Sequence, residues 1–322
     1  MSCLEYSIFW VVVGLISYKI WLKLTTGWCT SNVCLVGKTV IVTGGNSGIG
    51  YETAGDLAKR GAKVILACRV EKKGLAAVRK LIEQTDNPNI FFKPLDLCSF
   101  RSVRAFADDI IKTEKRLDIL INNAGAGVLP PKTTEDGLQI MMQTNYFGHF
   151  LLTNLLLDLI KQTPKSRIVN VSSFLAQYPF KLDVKNLNKY PQTGLRQIND
   201  LIMYCRTKLC SVLFTIELTE QLKGTSTTAY SLHPGVINTG IFRNHPLWLR
   251  YPTYLTIYLF YKNAIEGAQT TVYCSVTKNI EHLSGDHFQD CKVVDRYPNA
   301  WNPDLAKDLW AESMKIVGLH NK

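Results

Sequence analysis

Between Thr39 and Gly61 the chain reads as a strand, a glycine-rich turn and a helix with nothing in between, and few folds accommodate that order. Thr39-Val40-Ile41-Val42 is an apolar β-branched run of the length of a buried strand. Thr43-Gly44-Gly45-Asn46-Ser47-Gly48-Ile49-Gly50 comes directly after it, and Ala54, Leu57 and Ala58 then recur at helical spacing. This succession is the setting in which a pyrophosphate rests on a helix N-terminus, because glycines let the main chain turn tightly and come close to it. No Gly-Lys-Ser/Thr is attached, so the loop is not that of a nucleotide triphosphatase.

The next strand-like run, Val64 to Cys68, ends at Arg69. A carboxylate near this point would suit the ribose 2′-hydroxyl of NAD, whereas an arginine suits a 2′-phosphate. Cys68 stands where that acid is expected, which favours NADP(H). Further strands are predicted at Ile90 to Leu95, Ile119 to Ile121, Arg167 to Val171 and Thr227 to Leu232. They alternate with helices over Glu71 to Gln84, Phe100 to Lys112, Leu138 to Ile160, Ile198 to Leu222, Asn263 to Thr277 and Pro303 to Val317. Such alternation gives an α/β fold: a doubly wound parallel sheet of Rossmann type, in a single catalytic domain.

Tyr204-Cys205-Arg206-Thr207-Lys208 sets a phenol and an ammonium one helical turn apart. An ordinary tyrosine, with a pKa near ~10, is a poor proton carrier at neutral pH, and an adjacent cation is expected to tune it downward. By itself the spacing is common. It gains weight from its neighbours.

Taken together these residues resemble the short-chain dehydrogenase/reductase family, in order from about Lys38 to the C-terminal region. Thr43-Gly44-x-x-x-Gly48-Ile49-Gly50 is similar to its cofactor loop, which implies Gly44, Asn46, Ser47, Gly48, Ile49 and Gly50 as cofactor contacts, with Arg69 beside them. By the same resemblance Asp96 contacts the adenine, and Asn123, Ala124 and Gly125 of Asn122-Asn123-Ala124-Gly125 line the cofactor. Pro234, Gly235 and Thr239 are implied to hold the nicotinamide end. The implied catalytic set is Asn145, Ser173, Tyr204 and Lys208, with Tyr204 as general acid/base and Ser173 on the carbonyl oxygen. Lys208 is implied to lower the tyrosine pKa and bind the nicotinamide ribose, while Asn145 holds a water.

Ala67-Cys68-Arg69, Asn145-Tyr146-Phe147-Gly148-His149-Phe150 and His233-Pro234-Gly235-Val236 resemble the retinol-dehydrogenase-like branch. That implies an NADP(H)-dependent oxidoreductase for lipophilic alcohols and aldehydes or ketones, retinol and retinal among them. Steroids, fatty aldehydes or xenobiotic carbonyls are the alternative substrates, and a cofactor-binding sensor is the non-enzyme alternative. Phe174 and Tyr146 depart from the branch and are expected to shape the substrate pocket. The aromatic-rich segment Ile241 to Tyr261 and the insertion Phe174 to Leu201 are expected to flank the opening.

Metal chemistry is not indicated: there is no His-Glu-x-x-His or Cys-x-x-Cys, and His149 and His233 read as packing or hydrogen-bonding groups. The net charge of +11 comes without a dense basic block or a nucleic-acid motif, so a nucleic-acid partner is not expected. Nine cysteines without paired spacing favour reduced thiols facing the cytosol. The run Ser7 to Leu22 is almost wholly apolar, preceded by Glu5 and succeeded by Lys23 and Lys38. It lacks a cleavage site, and the charge bias leaves the remainder of the chain in the cytosol. The expected division is an N-terminal membrane anchor over residues 1–26, a linker over 27–37 and the catalytic domain over 38–322. An endoplasmic-reticulum membrane is carried over from the resemblance, and a homo-oligomer is compatible with it.

Overall fold

The computed structural model describes residues 3–127, 129, 131–178, 182–237, 262–295 and 297–319. Eight strands form one sheet in the order β3-β2-β1-β4-β5-β6-β7-β8. They are β1 (Thr39–Thr43), β2 (Lys63–Cys68), β3 (Ile90–Pro94), β4 (Ile119–Asn122), β5 (Arg167–Val171), β6 (Thr228–His233), β7 (His287–Gln289) and β8 (Lys292–Val294). All pairs are parallel except β7 with β8. The order reverses between β1 and β4, and there a crevice opens at the carboxyl ends of the strands.

Alternation along the strands divides the core. Ile41, Ile65 and Leu120 face one layer, while Val40, Val42, Val64, Leu66, Ile119 and Ile121 face the other. The first layer is built from α4 (Phe100–Thr113), α6 (Gly148–Gln162), α7 (Arg196–Gln221) and α9 (Pro303–Ile316). The second is built from α2 (Gly48–Lys59), α3 (Glu71–Thr85) and α8 (Ala264–Val276). Because both faces are covered, β1 is buried along its whole length.

Where a single helix is predicted over Leu138 to Ile160, the chain is broken. One α-turn, α5 (Ile140–Met142), gives way to a π-helical turn over Gln143–Phe147 before α6 starts. β7 and β8 are not foreseen, because three residues each carry too little periodicity to register.

The apolar N-terminal run forms α1 (Cys3–Thr25). Of its described side chains, all but Val13 and Leu22 are exposed. Among the described residues no helix is long and apolar enough to cross a membrane.

Candidate active site

Thr43 closes β1, and its hydroxyl is a junction. It accepts from the amides of Asn123 at 2.9 Å and Ala124 at 3.0 Å, and it lies 2.9 Å from His149 Nε2. His149 Nδ1 in turn sits 3.2 Å from the Asn145 carbonyl oxygen. A carbonyl only accepts, so Nδ1 carries the hydrogen and Nε2 accepts from Thr43. Burial pushes His149 down to about 4, which keeps the ring neutral. Thr43, Asn123 and Asn145 are thereby tied to one another, and this role of Thr43 and His149 has no sequence signal beyond their place in two motifs.

The loop after Thr43 has left-handed glycines at Gly44 (φ +66°) and Gly48 (φ +58°). A Cβ on Gly50 would fall 2.4 Å from Asn123 Nδ2, which itself donates to the Thr43 carbonyl at 2.8 Å. The loop therefore packs directly on the end of β4. Ser47 precedes α2 without a side-chain cap, leaving its first turn open toward an anion. Gly45, Asn46 and the buried Cys68 adjoin: burial pushes the Cys68 thiol up to about 11 while the amides of Asn46 and Gly45 point at its sulfur. Arg69, next in the chain, is exposed at the edge of this cradle. Asp96 caps its own turn, accepting from the Cys98 amide at 2.9 Å.

α7 carries Tyr204 and Lys208 across the carboxyl end of β5, and both are buried. Lys208 Nζ donates to the Val171 carbonyl at 2.9 Å, and Ser172 Oγ donates to the Lys208 carbonyl at 2.7 Å. Its ammonium lies 5.7 Å from the Tyr204 ring centroid. Burial, with no carboxylate to offset it, pulls Lys208 down to about 8. Tyr204 goes the other way. Burial pushes the phenol up to about 12, and its hydrogen bond with Ser173 only partly offsets this. The expected lowering by Lys208 is therefore not the net effect: desolvation dominates, and the one group that lowers the phenol is Ser173. Ser173 starts a short 3₁₀ turn and accepts from the Leu175 amide at 3.2 Å.

Asn145 sits in the π-helical turn, a local widening often found where helices serve a site. Its Oδ1 accepts from the Ala126 amide at 2.9 Å, and its Nδ2 donates to the Ala126 carbonyl at 3.0 Å and Thr207 Oγ1 at 3.2 Å. The side chain thus clamps the stretch just past Gly125. A Cβ on Gly125 would lie 3.4 Å from Lys208 Nζ and 3.6 Å from Asn145 Oδ1, so the three meet at one point. Thr207, whose hydroxyl also donates to the Tyr204 carbonyl at 2.7 Å, is a further linking group that motif spacing does not single out.

Pro234 and Gly235 come after β6, with Gly235 at φ +94° against the Lys262 side chain. His233, buried and pushed down to about 3, packs its ring 5.3 Å from Phe174. Phe174 is thus near the site, but Tyr146 is not. Its hydroxyl bonds Ser313 of α9 at 2.7 Å within the core, which corrects the expectation that it shapes the pocket. Thr239 and the aromatics from Ile241 to Tyr261 lie outside the described residues.

Comparison with known proteins points the same way. Residues 38–184 match the short chain dehydrogenase family. Mouse retinol dehydrogenase 11 is 43% identical over 312 residues, covering 96% of this chain and 95% of its own. Human retinol dehydrogenase 13 is 44% identical over 299 residues, covering 92% and 89%. Among solved structures, an uncharacterised protein from Mycobacterium paratuberculosis superposes with a TM-score of 0.70 at 31% identity, over 91% of this chain and 98% of that one. An NADPH-bound short chain oxidoreductase from Pseudomonas aeruginosa PAO1 shares the fold at 20% identity and a TM-score of 0.63, over 80% and 96%.

Proposed function

This chain belongs to the short-chain dehydrogenase family, in the branch of the retinol dehydrogenases, and we propose that it interconverts lipophilic alcohols with their aldehydes or ketones, retinol and retinal foremost, using NADP(H). The observation that carries the reading is the convergence of Tyr204, Ser173 and Lys208 at the end of β5, with only β4 between it and the strand that leads into the pyrophosphate-type loop.

The residues present fit a nicotinamide dinucleotide: the left-handed turns of the loop fall on Gly44 and Gly48, which carry no side chain, and the start of α2 is uncapped. Gly44, Asn46, Ser47, Gly48, Ile49 and Gly50 would hold its pyrophosphate, Asp96 its adenine, and the exposed Arg69 a 2′-phosphate. Asn123, Ala124, Gly125, Pro234, Gly235 and Thr239 would hold the nicotinamide end, with Tyr204 and Lys208 on its ribose. Such a cofactor supplies or accepts the hydride.

The protein's own part is proton transfer and positioning. Near neutral pH a phenol held at about 12 keeps its proton, so Tyr204 is set up to donate it to a carbonyl oxygen. Ser173 orients that oxygen through the hydroxyl it shares with Tyr204. Lys208, with its pKa near 8, is mostly charged at neutral pH and stabilises the phenolate left behind. Asn145 keeps Lys208 and the stretch after Gly125 in register.

Membrane attachment belongs to the same proposal. α1 shows Tyr6, Phe9, Val11, Val12, Leu15 and Trp21 on all sides rather than one. A helix apolar all round is stable in protein or in lipid, and here no protein covers it. We assign residues 1–26 to a lipid anchor, 27–37 to a linker and 38–322 to the catalytic domain, at the endoplasmic-reticulum membrane with the domain in the cytosol. The eight cysteines whose side chains are described are free thiols, in keeping with a reducing compartment.

The test is to mix full-length protein with NADPH or NADH and all-trans-retinal, then track cofactor absorbance and product. Retinol formed faster with NADPH is the expected result. Turnover only with steroid or short aldehyde carbonyls moves the substrate class, and tight NADPH binding without any turnover removes the enzymatic reading.

A further inference from the structure

We infer that the domain docks on its bilayer through the active-site face, so that a lipophilic substrate reaches the site from the lipid side. The inference rests on the membrane attachment proposed above and gives that attachment a direction.

The direction comes from the linker. Parallel strands set one face of the molecule at their carboxyl ends, and α8 descends from that face while the β7–β8 turn closes on it. Lys23, at the end of α1, binds Glu266 in the first turn of α8. The Gly27 amide donates to Asp290 Oδ1 in the β7–β8 turn at 3.1 Å, and the Cys29 amide to Gln269 Oε1 at 3.1 Å. Lower down, Arg60, past the far end of α2, donates to the carbonyls of Ser31 and Val33, and the Leu35 amide returns to the Arg60 carbonyl at 2.8 Å. The segment thus descends the full height of the sheet, from the active-site face to the base where β1 begins. Hence α1 leaves from the active-site face.

Gly27 fixes that exit. A Cβ there would stand 1.9 Å from the Asp290 carbonyl oxygen, so the strap lies against the turn with no room for a side chain. Lifting it would take the Gly27 amide from the Asp290 carboxylate, the same oxygen that pairs with Lys262, the residue packed on Gly235.

Exposed apolar side chains are gathered on the same face. Trp28, Tyr178, Leu195, Ile198, Ile265 and Trp301 surround it, the last 65% exposed. Amphipathic aromatics and aliphatics of this kind suit the boundary of headgroups and acyl chains. At the base, Val36 and Ile111 are exposed too, but the cleft there is lined by Lys38, Asp118, Lys165, Arg167, Lys278 and Glu281. Lys19 adds positive charge close to where α1 joins the domain, which suits anionic headgroups.

The test uses the full chain and vesicles of phosphatidylcholine and phosphatidylserine containing brominated acyl chains, which quench fluorophores at short range. With Cys3, Cys29, Cys98 and Cys291 replaced by serine, native Cys34, exposed at the base, takes one label; in the other protein Cys34→Ser and Ile198→Cys move it to the active-site face. An interfacial group sits within ~10 Å of the acyl boundary, and the base lies at least the length of a five-residue strand, ~17 Å, further away. Quenching at position 198 and not at 34 is the expected result. Equal or reversed quenching overturns the inference while leaving attachment in place. No vesicle association overturns both, and a label shielded without lipid, with doubled mass, makes the face a dimer interface instead. As a second readout, Leu195→Glu with Ile198→Glu should raise KM for vesicle-dissolved retinal about tenfold through lost apolar contact. It should leave kcat and the KM for a water-soluble aldehyde unchanged; a matching rise with the soluble substrate counts against the docking role.

Discussion

At the base of the sheet Asp118 accepts from the Thr39 amide at 2.9 Å and from Arg116 at 2.7 Å, with Lys38 at 3.2 Å. At the opposite end Lys208 is equally buried, yet its ammonium donates to one backbone carbonyl. Burial alone would raise the Asp118 carboxyl, but its cations and the amide outweigh this and hold it below the usual carboxylate range. Nothing does the same for Lys208, which burial pulls down to about 8. Other charges at the base are also paired: Lys63 with Glu114, Arg167 with Glu281. The contrast teaches where each end's function lies. Fully compensated charge holds strands together and resists titration, whereas an uncompensated cation beside a high-pKa phenol is poised to respond when a partner arrives.

The largest expected effect comes from breaking the reactive end. Tyr204→Phe should lower kcat/KM by about 10²–10⁴-fold, the range for a lost general acid. NADPH affinity should fall by no more than about tenfold, the worth of one ribose hydrogen bond, and melting temperature should stay close to wild type. Steady-state kinetics and cofactor titration check both, and retained turnover would end the assignment of proton donor.

The mirror experiment breaks the base. Asp118→Ala should destabilise the fold by about 2–3 kcal/mol, less than a fully buried pair because Lys38 and Arg116 can rehydrate. Turnover at a permissive temperature should be unchanged. Equilibrium denaturation measures the first and an assay the second; lost activity without lost stability would erase the distinction drawn between the two ends.

A smaller effect sharpens the comparison through pH. His149, His233 and His287 are buried and pushed down to about 4, 3 and 4 from an ordinary 6.5. Between those values and 6.5 the unfolded chain binds protons that the folded one does not, so stability falls as pH drops through that window. Each should contribute on the order of 1–2 kcal/mol of loss by about pH 5. Denaturation midpoints at a series of pH values read this out, and a flat profile from neutral to about pH 5 would contradict the neutral, buried state of His149 on which the Thr43–Asn145 link depends.

Much of this is legible in the residues. The strand–glycine–helix unit can be read because three signals agree locally: β-branched run, glycines and helical spacing. Arg167–Val171 is predicted to the residue, since β-branched Ile168, Val169 and Val171 stand between the breakers Pro164-Lys165-Ser166 and Ser172-Ser173. The electrostatics of Tyr204 are misjudged from spacing alone, because a sequence shows the lysine at i+4 but not the depth at which both groups sit. Tyr146 is misplaced for a related reason: its motif lies beside the site, while the helical turn sends its ring to α9. The pairing of Gly27 with Asp290 joins residues from opposite ends of the chain, and no local pattern announces it.

The widened turn at Gln143–Phe147 carries a consequence for how this chain tolerates change in length. A π-helical turn holds about one residue more than an α-turn, so deleting one there would let the stretch close into a regular α-helix and keep Phe150, Leu151 and Leu156 on the core. The loss would fall on Asn145, whose side chain reaches Ala126 and Thr207 from that widened turn. The core would tolerate the shorter chain; the candidate site would not.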